Sequence, residues 1–281
     1  MKVVFIGGVE IGMTVLKSVY ESGHCVDTVI TLSFEVASKT SGFVDFGPLA
    51  NRYNSNLIRT KDINQPEYIE KLKKINPDVI IVCGWQRLIC KEILDIPRLG
   101  TIGFHSSLLP KYRGRAPVNW AIIMGERKTG ITMFYLTPEA DTGEIIVQKS
   151  FPILFNDDCN TIYKKTAEAG AELMKEYLPK IERCTVKTIH NESRSYPHYP
   201  KRIPEDGLID FNRSALDIYN FVRAITKPYP GAFYYDKNGK KIIVWKIEIV
   251  FDESRLRYGD IVFETKDLKV RLIEWEEEKN K

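Results

Sequence analysis

An unbroken run of β-branched apolar residues, Val79-Ile80-Ile81-Val82, constrains the fold of this chain more than any other feature. A strand with one solvent-exposed face alternates polar and apolar residues, and this run does not alternate. The strand must therefore be covered on both faces, as the strands of parallel sheets are. Similar apolar segments recur along the first two-thirds of the chain, separated by stretches with helical periodicity. This alternation predicts an α/β fold: a Rossmann-like, mainly parallel sheet with helices on both faces.

The pattern also predicts two domains. Between residues 186 and 206 the composition shifts to Asn, Ser, Pro, Tyr and His, which is typical of a linker. Before it, strands are predicted at 3–6, 26–32, 56–58, 78–83, 101–105, 131–136 and 144–149, and helices at 11–20, 46–53, 68–74, 117–124 and 160–182. After it, one helical pattern at 215–225 accompanies several short strands. We predict a Rossmann-like catalytic domain over 1–190 and a small β-rich domain over 201–281.

Composition argues against several classes of protein. The 281 residues are 43% hydrophobic and 28% charged, which is ordinary for a globular protein. The net charge of +4 is too small to indicate nucleic-acid binding by itself. The cysteines lack Cys-x-x-Cys spacing and the histidines are scattered, so no metal site is predicted. We find no signal-peptide pattern and no apolar run of membrane length, and we therefore expect a cytoplasmic protein with no membrane partner.

One histidine and one aspartate follow strand-like segments, where acid–base chemistry is often placed. The apolar segment 99–104 leads into His105, and the segment 131–136 leads into a loop that contains Asp141. An imidazole and a carboxylate at strand ends in an open sheet can act as general acid and base. The alternative is a capping histidine and a turn aspartate without chemistry. The pair alone does not decide between the two interpretations.

The residues around His105 closely resemble a known enzyme family. They read Gly103-Phe104-His105-Ser106-Ser107-Leu108-Leu109-Pro110, followed by Gly130-Ile131-Thr132 and by Asp141-Thr142-Gly143. These segments are similar to motifs of the formyltransferases that use 10-formyltetrahydrofolate, which act on glycinamide ribonucleotide, methionyl-tRNA or nucleotide-linked sugars. The similarity continues through 202–210 and 223–233 and so covers nearly the whole chain. It implies that the C-terminal domain is the family's small, barrel-like (OB-like) β module.

The resemblance implies three catalytic positions. In the family the histidine shuttles a proton and stabilises the oxyanion, and these roles fall on His105. Asp141 is expected to hold His105, because a nearby carboxylate favours the protonated imidazole. The third position is an asparagine in most of the family and is Gly103 here, so one side-chain donor to the oxyanion is missing. Three explanations stay open: water or a backbone N–H substitutes, another side chain such as Asn119 does, or the enzyme is slow or inactive.

The resemblance also implies which residues bind the ligands. The expected cofactor is the formyl donor, 10-formyltetrahydrofolate, with its pterin held largely by backbone groups after the strand at 78–83. The expected cofactor-binding residues are Arg87, Leu88, Ile89, Ser107, Leu108, Leu109, Pro110, Arg115, Thr137, Pro138, Glu139, Ala140 and Asp141. The expected substrate-binding residues are Ser106, Tyr112, Asn119, Arg202, Arg223 and Tyr229. Solvated arginines and ordinary core positions at Leu88 and Ile89 are the alternative.

A nucleotide-linked amino sugar is the expected partner and formyl acceptor. The segment 113–120 is more similar to enzymes of the UDP-4-amino-4-deoxy-L-arabinose formyltransferase type than to methionyl-tRNA formyltransferases. A tRNA acceptor ranks second, because binding a phosphate backbone depends on clustered cations. The loop 33–43 holds one Lys and one Glu, and residues from 201 onward hold 16 Lys/Arg against 15 Asp/Glu. A non-catalytic folate-binding protein stays open because of Gly103, as do the identity of the nucleotide (UDP or dTDP) and a homodimeric state.

Overall fold

The structure, a computed structural model, describes residues 1–192 and 195–278. Residues 193–194, inside the predicted linker, and 279–281, at the end of the predicted C-terminal domain, lie outside the described residues. The chain divides into two compact units. The first comprises Met1–Gly114, Gly130–Phe151 and Tyr163–His198, and the second comprises Arg115–Thr129, Pro152–Ile162 and the chain from Tyr199 onward.

The first unit is built on a seven-stranded sheet in the order β3-β2-β1-β4-β5-β7-β8. In chain order the strands up to residue 199 are β1 (Val3–Ile6), β2 (Val26–Leu32), β3 (Asn56–Thr60), β4 (Val79–Val82), β5 (Thr101–His105), β6 (Arg113–Gly114), β7 (Lys128–Tyr135), β8 (Ile145–Pro152) and β9 (His198–Tyr199). The helices are α1 (Glu10–Glu21), α2 (Phe34–Ala37), α3 (Gly47–Arg52), α4 (Pro66–Ile75), α5 (Lys91–Leu94), α6 (Pro117–Ile123) and α7 (Cys159–Glu182). Strands β1 to β5 pair in parallel, which confirms the predicted Rossmann-like α/β fold.

Alternate residues of β1 enter two different cores, one on each face of the sheet. Val3 and Phe5 pack with residues of α1 and α7, and Val4 and Ile6 pack with residues of α4 and α5. All four residues of β4 are buried as well. The absence of polar residues in these strands is thus explained by helices on both sides, as the sequence predicted.

The pairing of β5 with β7 is antiparallel and positions the candidate site. His105 lies opposite Thr132, and Gly103 lies opposite Phe134. Because β7 runs antiparallel to β5, it ends with Tyr135 opposite Ile102, near the start of β5, and the following loop folds back towards His105. The loop containing Asp141 is therefore placed by strand direction as well as by its own sequence.

The second unit contains α6, a helix α8 (Ala215–Ala224) and a four-stranded antiparallel sheet. Its strands are β10 (Ala232–Tyr235), β11 (Lys241–Val250), β12 (Val262–Glu264) and β13 (Lys269–Glu277), in the order β10-β11-β13-β12. Helix α8 packs against α6 and β11. The register of β11 against β13 shifts around Lys246, and such bulges curl a sheet. This curled sheet confirms the predicted small, mostly-β C-terminal domain.

Helices in the described part of the chain are either too short or too polar to cross a membrane.

Gly130 is required where β7 meets β8. A Cβ on Gly130 would overlap the backbone carbonyl oxygen of Lys149 and crowd Leu108. We expect Gly130→Ala to lower the free energy of unfolding by about 1–3 kcal/mol, as overpacking of a close contact does. Urea unfolding measures this, with Ser150→Ala on the exposed side of β8 as the control. Equal stability of the two variants would contradict the tight contact.

Candidate active site

His105 ends strand β5 and is buried, with 8% of its surface exposed. Its ring Nε2 lies 2.9 Å from the carbonyl oxygen of Tyr112, to which it can donate a hydrogen bond. The other nitrogen, Nδ1, lies 3.5 Å from carboxylate Oδ1 of Asp141. A neutral imidazole carries one N–H, so only the doubly protonated ring donates towards both acceptors. These surroundings suit a group that takes up and releases a proton.

Asp141 is fixed at both its carboxylate and its backbone. Carboxylate Oδ2 accepts a 2.8 Å hydrogen bond from the backbone N–H of Gly114. The backbone of Asp141 is left-handed, with φ of 58°, which is uncommon for a residue other than glycine. Its carbonyl oxygen and that of Gly143 both accept hydrogen bonds from the side-chain amide of Asn191. The carboxylate that faces His105 is therefore held by groups from two distant segments of the chain.

The turn after His105 is fastened to the neighbouring strands by two side chains. Thr132 on β7 donates its hydroxyl to the carbonyl of Ser107 at 2.7 Å and accepts from the N–H of Leu109 at 3.0 Å. The side-chain amide of Gln148 on β8 donates to the carbonyl of Leu109 at 2.7 Å and to Thr132 Oγ1 at 2.8 Å. This turn carries the predicted binding residues Ser106, Ser107, Leu108, Leu109 and Pro110.

The space beside Gly103 is filled by protein. A Cβ on Gly103 would collide with the end of the Leu136 side chain and would lie 2.9 Å from its Cγ. Leu136 packs there with the buried residues Leu109, Phe134 and Ile145. The position where the family carries an asparagine is thus an apolar wall in this chain.

The segment after β4 is tied to the loop that precedes α4. The side-chain amide of Asn64 donates to the carbonyl of Leu88 at 3.1 Å, and its oxygen accepts from the N–H of Cys90 at 2.9 Å. Arg87 donates from its guanidinium to the carbonyl of Lys61. The predicted pterin segment therefore has a fixed backbone, with Leu88 62% exposed and Ile89 buried.

The predicted binding residues 137–140 form the first half of the Asp141 loop. The Thr137 hydroxyl donates to the carbonyl of Glu139 at 2.9 Å. The same hydroxyl lies 2.7 Å from the hydroxyl of Thr142. The buried guanidinium of Arg113 contacts the same loop, 3.4 Å from the carbonyl of Ala140 and 3.6 Å from the Glu139 carboxylate. Arg113 directly follows Tyr112, whose carbonyl oxygen contacts His105.

The remaining predicted binding residues belong to the second unit. Asn119 is buried, and its side-chain amide donates to the carbonyl of Ala224 at 2.6 Å. The guanidinium of Arg202 lies over the rings of Trp120 and Phe221, 5.0 and 5.4 Å from their centres. Arg115 is exposed, and its backbone N–H donates to the carbonyl of Tyr199.

Arg223 is held inside the second unit by its surroundings. Its guanidinium donates to the carbonyls of Leu154 and Asp157 and to the side chain of Asn220. Burial lowers the pKa of Arg223, an effect opposed by Tyr219. Tyr229, which also carries a predicted role, donates its backbone N–H to Thr226. The roles of Asn119, Arg115, Arg202, Arg223 and Tyr229 in binding stay predictions.

Burial keeps two of the cysteine thiols protonated. Burial raises the pKa of the Cys83 thiol far above its usual range, and it raises that of Cys159 to about 12. Neither residue supplies a thiolate at neutral pH. Over residues 1–192 and 195–278, the His, Cys, Asp and Glu side chains form no group of three that could hold a metal ion.

Sequence reasoning assigned no role to four side chains that hold these loops: Asn64, Thr132, Gln148 and Asn191. Thr132 lies in a segment that matches the family but was given no function. Asn191 lies in the stretch predicted as a linker, whose beginning in fact joins the first unit, since Ile189 exchanges two backbone hydrogen bonds with Ile145. Each of the four contacts spans a long stretch of sequence, so no local pattern indicates it.

Comparison with protein families identifies both parts of the chain. The family described as "Formyl transferase" matches residues 1–178, and "Formyl transferase, C-terminal domain" matches residues 201–273. The bifunctional polymyxin resistance protein ArnA of Wigglesworthia glossinidia brevipalpis is 35% identical over 278 residues, 97% of this chain. The match covers 42% of ArnA, so this chain spans less than half of that relative.

One further relative and one solved structure match most of the chain. The methionyl-tRNA formyltransferase of Caldanaerobacter subterraneus subsp. tengcongensis is 36% identical over 255 residues, which are 89% of this chain and 81% of that protein. A crystal structure of the N-formyltransferase from Helicobacter canadensis, in complex with folinic acid and dTDP-3-aminofucose, superposes with a TM-score of 0.74. That comparison covers 97% of this chain and 98% of the other at 21% identity, and so shows a shared fold.

We expect Gly103→Asn alone to leave turnover level or lower it, because Leu136 already fills the required space. The double variant Gly103→Asn/Leu136→Ala removes the side chain that the asparagine amide would collide with. Its turnover should exceed that of Gly103→Asn at least tenfold, which lies within the ~10²–10³-fold effect of one oxyanion donor. Steady-state formyl transfer measures both, with Leu136→Ala as the control. A tenfold gain from Gly103→Asn alone, or no advantage of the double variant, would contradict this.

Proposed function

The chain belongs to the formyl transferase family, and we propose that it transfers a formyl group from 10-formyltetrahydrofolate to the amine of a nucleotide-linked amino sugar. The observation that supports this most is the pairing of a buried imidazole, His105, with the Asp141 carboxylate at the end of β5. In an open parallel sheet, ligands bind beyond the carboxyl ends of the strands, where His105 lies. A pair of this kind suits proton transfer in an acyl-group transfer.

The residues around the segment 84–89 fit a folate. Its pterin needs apolar surface and hydrogen-bonding groups, and Leu88 offers an exposed apolar side chain beside a fixed backbone. The indole N–H of Trp85 is buried and has no hydrogen-bond partner in the described residues. A buried N–H without a partner costs free energy that a ligand acceptor would recover. These features support folate binding after β4.

His105 has the contacts needed to move a proton during formyl transfer. As the amine nitrogen bonds to the formyl carbon, the formyl oxygen becomes an oxyanion. The amine nitrogen gives up one proton, the bond from the formyl carbon to the folate nitrogen breaks, and the folate nitrogen takes up one proton, so no net proton is consumed. The Nε2 of His105 donates to a carbonyl oxygen, that of Tyr112. A formyl oxygen is an acceptor of the same kind, so His105 can donate to it in place of Tyr112. Asp141 stabilises the protonated ring meanwhile.

Charge favours a sugar nucleotide over tRNA as the acceptor. In the second unit, Lys227, Lys240, Lys241 and Lys269 each form an ion pair with a glutamate. In the first unit, Glu35 of the loop 33–43 pairs with Lys61. Binding a phosphate backbone requires cations that are available to several phosphates at once. A methionyl-tRNA acceptor is the second candidate, since a methionyl-tRNA formyltransferase is 36% identical to this chain.

A panel of acceptors tests the proposal. The protein is incubated with 10-formyltetrahydrofolate and, separately, with UDP- and dTDP-linked 3- and 4-amino sugars and with methionyl-tRNA. We expect formylation of at least one sugar nucleotide at a kcat/KM at least a hundredfold above that for methionyl-tRNA. Preferential formylation of methionyl-tRNA would favour the second candidate. Folate binding without transfer to any acceptor would favour the non-catalytic alternative.

We expect His105→Ala to reduce formyl transfer at least a thousandfold, because the buried proton donor is removed. Its affinity for 5-formyltetrahydrofolate, a stable isomer of the donor, should stay within about tenfold, since the predicted pterin segment is held by Asn64 instead. Calorimetry and steady-state kinetics measure the two effects. His24→Ala, which alters a histidine paired with Glu182, is the control. Near-normal turnover of folded His105→Ala would exclude the mechanism.

Asp141→Asn should keep the fold, because an amide oxygen can still accept from the N–H of Gly114. Removal of the negative charge should lower turnover by about 10²-fold or more, since the protonated imidazole is no longer stabilised. Steady-state kinetics measures the change in kcat. An unchanged rate would reduce Asp141 to a turn residue.

A further inference from the structure

We propose that Asn191 is a positioning residue for the catalytic pair: its side-chain amide fixes the Asp141 loop and thereby the carboxylate opposite His105. The proposal rests on the proposed formyl transfer, which requires that carboxylate. Asn191 follows the family-matched catalytic region and lies where the composition predicts a linker. Its side chain is almost fully buried, with 4% of the residue exposed.

One nitrogen of Asn191 makes both of the contacts that matter. Nδ2 donates to the carbonyl oxygen of Asp141 at 3.0 Å and to that of Gly143 at 3.1 Å. An amide nitrogen has two N–H groups, so each carbonyl receives its own. The two carbonyls lie on either side of Thr142. Asn191 therefore fixes the direction of the chain immediately at and after Asp141.

The loop needs such a restraint because its backbone is unusual. Asp141 has a φ of 58°, a left-handed conformation that is uncommon for residues with a Cβ, although aspartate adopts it more readily than most. Gly143 lies so close to the carbonyl of Tyr135 that a Cβ there would overlap it. Loss of the Asn191 donors would leave two carbonyls without these partners next to this left-handed residue, and the loop would relax.

Relaxation of the loop would be transmitted to the carboxylate. Oδ2 of Asp141 is held by the N–H of Gly114 at 2.8 Å, and Oδ1 lies 3.5 Å from His105 Nδ1. A displacement of about 1 Å in such a group can cost on the order of 10²-fold in rate. Both hydrogen bonds of Asn191 go to backbone carbonyls and neither goes to the His105 ring or the Asp141 carboxylate, so its proposed effect on catalysis is through the position of Asp141.

The segment that carries Asn191 is itself anchored to the first unit. Ile189 donates to and accepts from Ile145 at 2.8 and 2.9 Å, directly after the Asp141 loop. His190 Nδ1 lies 3.0 Å from the Glu144 carboxylate. The amide of Asn191 is thus presented to the loop by a short antiparallel bridge.

The test compares Asn191→Leu, which keeps the side-chain size without donors, with the wild type. Ser55→Ala is the matched control, since buried Ser55 also has two hydrogen bonds, to Tyr20 and Val26, away from the site. We expect a 10- to 100-fold lower kcat for Asn191→Leu, with KM for donor and acceptor within threefold. Asn191→Ser keeps a single hydroxyl donor, and its kcat should lie between those of the wild type and Asn191→Leu. This variant also guards against a folding defect in Asn191→Leu. Ser55→Ala should keep its kcat.

A second readout is independent of activity. The chain has four histidines, so the His105 ring resonance can be assigned by its loss in His105→Ala. At fixed pH this resonance should move in Asn191→Leu and stay in Ser55→Ala. If Asn191→Leu loses stability as Ser55→Ala does but keeps kcat and the His105 resonance, the proposal is wrong. Absence of formyl transfer in the wild type, with the resonance still responding to Asn191→Leu, would overturn the proposed function alone.

Discussion

The antiparallel pairing of β5 with β7 is the constraint on which the candidate site depends. Parallel strands alone would place His105 at one edge of the sheet and send the next strand's following loop to that same edge. Reversal of β7 instead puts Thr132 beside His105 and returns the loop from Tyr135 alongside β5. That return path brings Asp141 within 3.5 Å of the imidazole and presses Leu136 against Gly103. The reversed strand thus places Thr132 and Leu136 beside β5, and the folding back of the loop that follows brings the Asp141 carboxylate to His105.

Neutral side-chain amides hold the loops of the site in place. Asn64 fixes the segment after β4, Gln148 the turn after His105, and Asn191 the loop of Asp141. Each amide bonds two groups of its loop or of the adjoining strand, and none brings a net charge. A lysine or arginine in the place of Asn191 would compete with His105 for the Asp141 carboxylate. Uncharged donors restrain the backbone and leave the electrostatics to the His105–Asp141 pair.

Local patterns in the sequence were sufficient for the main strands of the parallel sheet, because burial on two faces removes polar residues from a strand such as Val79–Val82. They did not indicate the short helices α2 and α5 or the two-residue strands β6 and β9. The motif around His105 was sufficient for the family. Contacts between distant segments left no such trace. Asn191 looked like part of a polar linker, and nothing near Gly103 indicated that Leu136 would fill its space. A hydrogen bond across 50 residues, as from Asn191 to Asp141, follows from the folded geometry alone.

Gly103 stands where most of the family has an asparagine, and this difference leaves fewer side-chain hydrogen-bond donors at the predicted catalytic positions. Among the three predicted catalytic positions, His105 now carries the only side-chain N–H, since Gly103 has no side chain and Asp141 is a carboxylate. Leu136 occupies the space beside Gly103 with apolar atoms and offers no hydrogen-bond donor in place of the asparagine. With one side-chain donor fewer, the predicted site relies on His105 and therefore on Asp141, whose loop the amide of Asn191 restrains.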